Sequence, residues 1–135
     1  MPRTVILGTA RTPVGKLGGG LSSLRAPDLG GIAIKAALER AEVEPEQVQH
    51  VVMGQVLQAG TGQIPSRQAQ IEAGIPIETT SETVNKVCAS GIRAAGMIDA
   101  SIRAGEAPIA PGSVGVVIRT PRRGPSPARR ARAGP

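Results

Sequence analysis

The chain has 135 residues, one cysteine, one histidine, no Phe, Tyr or Trp, and a net charge of +6. That length suits one domain, whose core has to come from Ala, Val, Ile, Leu and Met without aromatic area. A single cysteine excludes an internal disulfide and fits a reducing, cytoplasmic compartment; no apolar run reaches the length of a membrane span, and the opening MPRTVILGTARTP reads as a strand rather than a secretion signal.

Thr4–Leu7 is a short β-branched run ending at Gly8, and a Gly-rich loop follows from Thr12 to Ser23. Pro27 suits the first turn of a helix. Behind it, Leu29, Ile32, Ala33, Ala36, Ala37 and Ala41 recur at helical spacing, which predicts one apolar face to about Ala41. Glu42 to Gln47, with Pro45, is a connection with room for one helical turn. Val48–Leu57 reads as a strand apolar on both faces, as buried strands of α/β proteins are. Gly60–Gly62 is a loop, Pro65 opens a short helix, and Gly74 is placed to end it. Thr79–Asn85 alternates like a strand. Ser90 to Ala104 is helical again, with Ile92, Ala95, Ile98 and Ile102 on one face and Gly105 at its end.

Residues 1–107 thus alternate as β-α-β-α-β-α, which predicts a layered α/β fold with helices packed on a mostly parallel sheet. Ligands in such folds sit where strands hand over to helices, and Cys88 lies at such a handover. Residues 108–135 differ: 20 of these 28 are Ala, Gly, Pro or Arg. Ser113–Ile118 could form one more strand, and beyond Ile118 the composition reads as disordered. The net charge belongs to this segment. Residues 1–118 balance 10 basic against 10 acidic side chains, whereas the last 17 residues hold six arginines and no acid.

Cys88 is the candidate catalytic residue. A thiol reacts as its thiolate, which neutral pH leaves scarce in a free cysteine. A helix N-terminus helps by offering unpaired N–H groups and a partial positive charge. Ala89, Ser90 and Gly91 are small enough for a substrate to approach, the Cys88 N–H could donate to an oxyanion, and Lys86 adds a nearby charge. The competing reading is a buried, inert cysteine behaving as a small hydrophobe.

The segment around Cys88, VNKVCASGIRA, closely resembles the nucleophile motif of thiolases, the acetyl-CoA acetyltransferases and 3-ketoacyl-CoA thiolases. ARTPVGKLGGGLSSLRAPDLGGIAIKAALERA resembles the first strand, loop and helix of that family, and VVMGQVLQAGTGQIPSRQAQIEAGIP its second strand, glycine loop and second helix. The resemblance is collinear from Val5 to Ala107. It implies a thiolase-like layered α-β-α fold, of which residues 1–107 supply an incomplete N-terminal half; the divergent Pro/Arg-rich basic tail over 108–135 is expected to be disordered or frameshifted.

The resemblance also implies a chemistry. The cysteine matching Cys88 attacks an acyl-CoA and takes its acyl group as a thioester. A second CoA then collects that group, or a carbanion from another acetyl-CoA attacks it in a Claisen condensation. Coenzyme A thioesters are substrates, and neither a metal nor a bound redox cofactor is implied. The resemblance further implies a homo-oligomer, with the strand around Thr79–Asn85 similar to the one at the family's dimer contact, and no membrane. The family's remaining site groups are a histidine in a Gly-His-Pro context, an asparagine in Asn-Glu-Ala, and a second cysteine. None has a match here. His50, the only histidine, stands in VQHVVMG, where a strand-edge role is expected. The expectation is therefore a truncated, inactive piece of an acyl-CoA acyltransferase.

After SIRAGEA, a thiolase usually continues with a hydrophobic strand and an Ala-Gly-Gly-Met-Glu-Ser-like run. Here PIAPGSVGVVIRTPRRGPSPARRARAGP follows instead. Ala, Gly, Pro and Arg codons are GC-rich in their first two positions, so a GC-rich gene read out of frame would give such a tail. Alternatives are a half-enzyme completed by a partner subunit and a basic-tailed nucleic-acid-binding module. For the latter, the arginines could meet phosphates non-specifically but bring no aromatic ring to stack on bases. GKLGGG at residues 15–20 lacks the phosphate-loop spacing and reads as a flexible loop; GTGQIP fails the dinucleotide fingerprint. Asp99 and Glu106 read as solvated surface.

Overall fold

The computed structural model describes residues 4–106 and the backbone of 109–112 and 116–119. The element order is β1 (Val5–Thr9), α1 (Ala26–Ala41), a 3-10 turn (Pro45–Gln47), β2 (His50–Gly54), α2 (Pro65–Glu72), β3 (Thr80–Val84), α3 (Ser90–Ala104), β4 (Ile109–Gly112) and β5 (Val116–Arg119). The alternation through α3 is the one read from the sequence. Gly74 and Gly105, both at left-handed φ of 83°, follow α2 and α3 where the chain must leave the helix.

β2 and β3 form a parallel pair, His50 opposite Thr80 and Gly54 opposite Val84. The expectation of a mostly parallel sheet holds for this pair alone. β1 instead pairs antiparallel with β5, with a bulge between Ile6 and Gly8, and β5 pairs antiparallel with β4. β4 runs beside β2 and brings the two sheets together. The segment read as a tail from residue 108 thus contributes two strands, one of them overlapping Ser113–Ile118. Of the residues expected to be disordered beyond Ile118, Arg119 is instead the last residue of β5, and the rest lie outside the described residues.

β2 explains the layering. Adjacent strand residues point to opposite faces, and Val51 and Val52 are both fully buried. Val51 faces a core built with Ile34, Ala37 and Leu38 of α1, Ala69 of α2 and Ile75. Val52 faces a second core with Ala94, Ile98 and Ile102 of α3. The result is an α-β-α arrangement with two aliphatic cores. Two helix faces differ from the sequence reading. Ile32 is half-exposed while Ile34 is fully buried, and Ile92 is 82% exposed while Ala94 is fully buried. Helical period alone does not choose between adjacent stripes when small residues flank both. Alanine and glycine let backbones approach, so the stripe carrying Gly30 and Gly31 packs on α2: a Cβ at Gly31 would stand 2.6 Å from Glu72 Cβ.

β2 is also shorter than the Val48–Leu57 expected. Gln55 N–H still donates to Val84 O (3.0 Å), after which the chain turns away. Gln70, fully buried on α2, fixes the path from α2 into β3. Its amide N–H groups donate to Pro76 O (2.7 Å) and Thr79 O (3.0 Å), and Ser81 Oγ donates to its Oε1. The Arg67 guanidinium donates to the carbonyls of Thr79 and Ile77 in the same loop.

Candidate active site

Cys88 lies in the turn between β3 and α3 and its side chain is exposed. The burial that the alternative reading expected is not observed. The turn is tightly bonded. Ala89 N–H donates to Lys86 O (3.0 Å) and Ser90 N–H to Val87 O (3.1 Å). Arg93 N–H bonds Ala89 O (2.9 Å), opening the helical ladder. Gly91 and Ile92 stand in the first turn, where amides have no carbonyl of their own helix to reach. The thiol is thus carried at the positive end of a 15-residue helix.

Three features of this turn were not evident in the sequence. Val87, immediately before the cysteine, has a left-handed φ of 49°, which costs a β-branched residue about 1–3 kcal/mol. Asn85 spans outward: its Oδ1 accepts from Val87 N–H (2.9 Å) and its Nδ2 donates to Val56 O (3.1 Å). Ser90 does not line a substrate approach, as its small size suggested. It is buried, and its Oγ accepts from Lys86 N–H (2.8 Å) and donates to Val87 O (2.6 Å). Ala89 is exposed and Gly91 partly so, which leaves the approach on their side. Below the turn, Gly54 closes β2. A Cβ there would fall 2.5 Å from Ser90 C and 2.7 Å from Gly91 N. The start of α3 therefore rests directly on the end of β2.

His50 is placed at the other end of the same pair of strands. Its Nδ1 meets Thr80 Oγ1 at 2.6 Å and its Nε2 meets Glu82 Oε1 at 3.2 Å. From His50 to Gly54 is about 13 Å of strand, so His50 cannot serve Cys88 as a base. His50 is the first residue of β2 and is engaged there by side chains of β3. A cavity of about 570 Å³ opens between the start of α1, the end of β2 and the start of α2, lined by Arg11, Pro27, Gln55, Leu57, Ser66 and Thr83 among others. Cys88 is outside its wall, so the cavity and the thiol are separate features linked by the Gln55–Leu57 segment. Asp99 pairs with Arg103 (2.9 Å) on the outer side of α3. Among the described residues, no group of three His, Cys, Asp or Glu side chains is placed to hold a metal ion.

Residues 4–113 match the thiolase N-terminal domain. The chain belongs to the thiolase family. The match runs past the boundary at residue 107 read from the sequence. An acetyl-CoA acetyltransferase of Cupriavidus necator is 55% identical over 109 residues, covering 81% of this chain and 28% of that protein. A probable acetyl-CoA acetyltransferase of Mycolicibacterium smegmatis is 54% identical over 102 residues, or 76% and 26% of the two chains. Among solved structures, a thiolase of Ascaris suum in complex with coenzyme A superposes with a TM-score of 0.79 at 35% identity. An acetyl-CoA acetyltransferase of Syntrophomonas wolfei superposes at 0.78 and 40%. Each superposition covers 81% of this chain and 28% of the other. This thiolase-family chain therefore spans little more than a quarter of the relatives it matches. No helix among its described residues is long and apolar enough to cross a membrane.

Proposed function

We propose that Cys88 is the acyl-accepting nucleophile of an acetyl-CoA C-acetyltransferase. The observation that carries this reading is the exposed thiol at the N-terminus of α3, within a chain that matches the thiolase N-terminal domain. The thiolate attacks the thioester carbonyl of an acyl-CoA, the CoA thiolate leaves, and an acyl-cysteine forms. The positive end of α3 favours the oxyanion that develops during attack. Thiolysis by a second CoA, or condensation with an acetyl-CoA carbanion, completes the cycle. Coenzyme A thioesters are the substrates, as the complex of the Ascaris suum relative with coenzyme A supports. No metal or redox cofactor enters this scheme.

The 135 residues bring one histidine, bound at the far end of β2, and one cysteine. We propose that they accept an acyl group but do not turn over alone, and that the groups completing the cycle belong to a further segment or partner chain. Homo-oligomerisation through β3 and a cytoplasmic location belong to the same reading. So does a change of reading frame from about residue 108, supported by the loss of acidic side chains there. The first experiment is mass spectrometry of the 135-residue chain after incubation with acetyl-CoA. One acetyl group on Cys88, absent in Cys88→Ser, is expected, with no cleavage of acetoacetyl-CoA. An unmodified Cys88 in a folded chain overturns the nucleophile assignment, and sustained thiolysis overturns the incomplete site.

A further inference from the structure

The turn that carries Cys88 is held more firmly than a strand-to-helix connection requires. Asn85 is exposed, yet both ends of its amide are engaged, to Val87 N–H and to Val56 O. Water could satisfy an exposed amide without freezing its rotamer. Val87 is exposed as well, at 64%, so burial does little to hold it at a φ of 49°. An unconstrained valine would leave that region for the extended or right-handed one. Two side chains oppose that escape. Asn85 Oδ1 holds the Val87 N–H, and Ser90 Oγ donates to the Val87 carbonyl at 2.6 Å. The residue is gripped on both of its peptide groups, and the residue that follows is Cys88.

We propose that Asn85 and Ser90 are positioning residues for acyl transfer: together they hold Val87 left-handed and so fix the Cys88 thiol against the first turn of α3. The inference rests on the reading of Cys88 as the acyl acceptor. Strain held in place by neighbouring groups is a recurrent feature of reactive sites, and here the groups that hold it are identified. Asn85 has a further consequence. Its bond to Val56 O ties the turn to the Gln55–Leu57 segment, which lines the 570 Å³ cavity. Ser90 works from beneath, buried against Gly54.

The test uses the full chain, in which Cys88 is the single thiol, so that every alkylation event reports on it. Rates with iodoacetamide are measured between about pH 6 and pH 9.5, spanning ordinary thiol ionisation. Asn85→Ala and Ser90→Ala are expected to slow alkylation at least about threefold, because the thiol no longer keeps its place at the start of α3. The amide-to-Hα coupling of Val87, read by NMR, is expected to lose its left-handed signature in both. Asn85 is exposed, so its variant keeps its core and decides the matter if Ser90→Ala fails to fold. Variants that melt lower but keep the wild-type alkylation profile and Val87 coupling assign a purely structural role, and the proposal is wrong. The two readings fail separately. Slowed alkylation in Asn85→Ala, without acetylation of the wild-type chain by acetyl-CoA, sinks the acyl-transfer reading and retains the positioning role. Acetylation of both chains at one rate, with one alkylation profile, does the reverse.

Discussion

Gly54 has the last position of β2 and the first claim on the geometry of the site. Its missing side chain is what lets Ser90 and Gly91 sit within 2.7 Å of where a Cβ would be. The neighbours are backbone atoms and a Cβ, none of them the mobile end of a long side chain. Gly54→Ala should therefore push α3 off β2 and cost about 1–3 kcal/mol in urea denaturation. It should also change the alkylation rate of Cys88, because the displaced atoms belong to the turn that carries it; an unchanged midpoint would mean that α3 is not seated there. Gln70 makes the complementary case. Its amide is fully buried and its partners are the carbonyls of Pro76 and Thr79 and the Ser81 hydroxyl. Gln70→Ala strands those groups and should cost about 2–3 kcal/mol, read by the same denaturation. Neither residue announces itself in the sequence. Gly54 there is merely a glycine near the end of an apolar run, and Gln70 a polar residue in a polar helix. What matters for both is which atoms lie opposite, and those are contributed by residues more than five positions away.

Elements were more legible than the contacts between them. Ser90–Ala104 is the helix expected from the spacing of Ile98 and Ile102 and from Gly105 behind it. The signals there are local: periodicity and a glycine that the left-handed turn requires. The start of α1 is local in the same way. Asp28 accepts the Arg25 N–H at 2.8 Å, and the Arg25 guanidinium lies 2.6 Å from its other oxygen. The guanidinium hydrogen bond first, and the backbone N–H second, hold the Asp28 carboxyl below the usual carboxylate range. A carboxyl whose value is lowered by folding binds its proton more readily in the unfolded chain. Its contribution to stability is present above the unfolded value and is lost as the pH falls through the folded one. Thermal unfolding of the wild-type chain should therefore lose stability below about pH 4 more steeply than that of Asp28→Asn. Parallel curves for the two proteins over that window would show that the pair does not contribute. The face of α1 was less legible. Ile32 and Ile34 are both apolar, and choosing between them needs the position of α2, which no short window of sequence contains.

At the scale of the molecule, strand pairing is the least local property of all. β1 finds its partner in β5, more than a hundred positions along the chain, and loop closure over that distance leaves no periodic trace. The thiolase resemblance, by contrast, was legible because it rests on collinear segments from Val5 to Ala107, and the domain match at residues 4–113 covers the same ground. The two meet at a point where the chain changes character. All 10 acidic side chains lie before residue 107, and the six arginines that give the chain its charge begin at Arg119. An evolved basic tail and a shifted reading frame both produce that asymmetry, but they leave different records in the gene. A frame shift conserves the nucleotides and changes only their grouping. Translating the coding DNA from about codon 100 onward in the other two frames should then restore, in one of them, a hydrophobic strand and an Ala-Gly-Gly-Met-Glu-like run directly after Ala107. The histidine and second-cysteine contexts that the resemblance implies should follow in that same frame. Expression of the restored frame should yield a chain that cleaves acetoacetyl-CoA, with Cys88→Ser inactive. If neither frame restores that run, the arginine-rich segment is encoded as it stands, and the groups that complete the site have to be sought in a further segment or on a partner chain, by adding candidate chains and assaying for turnover.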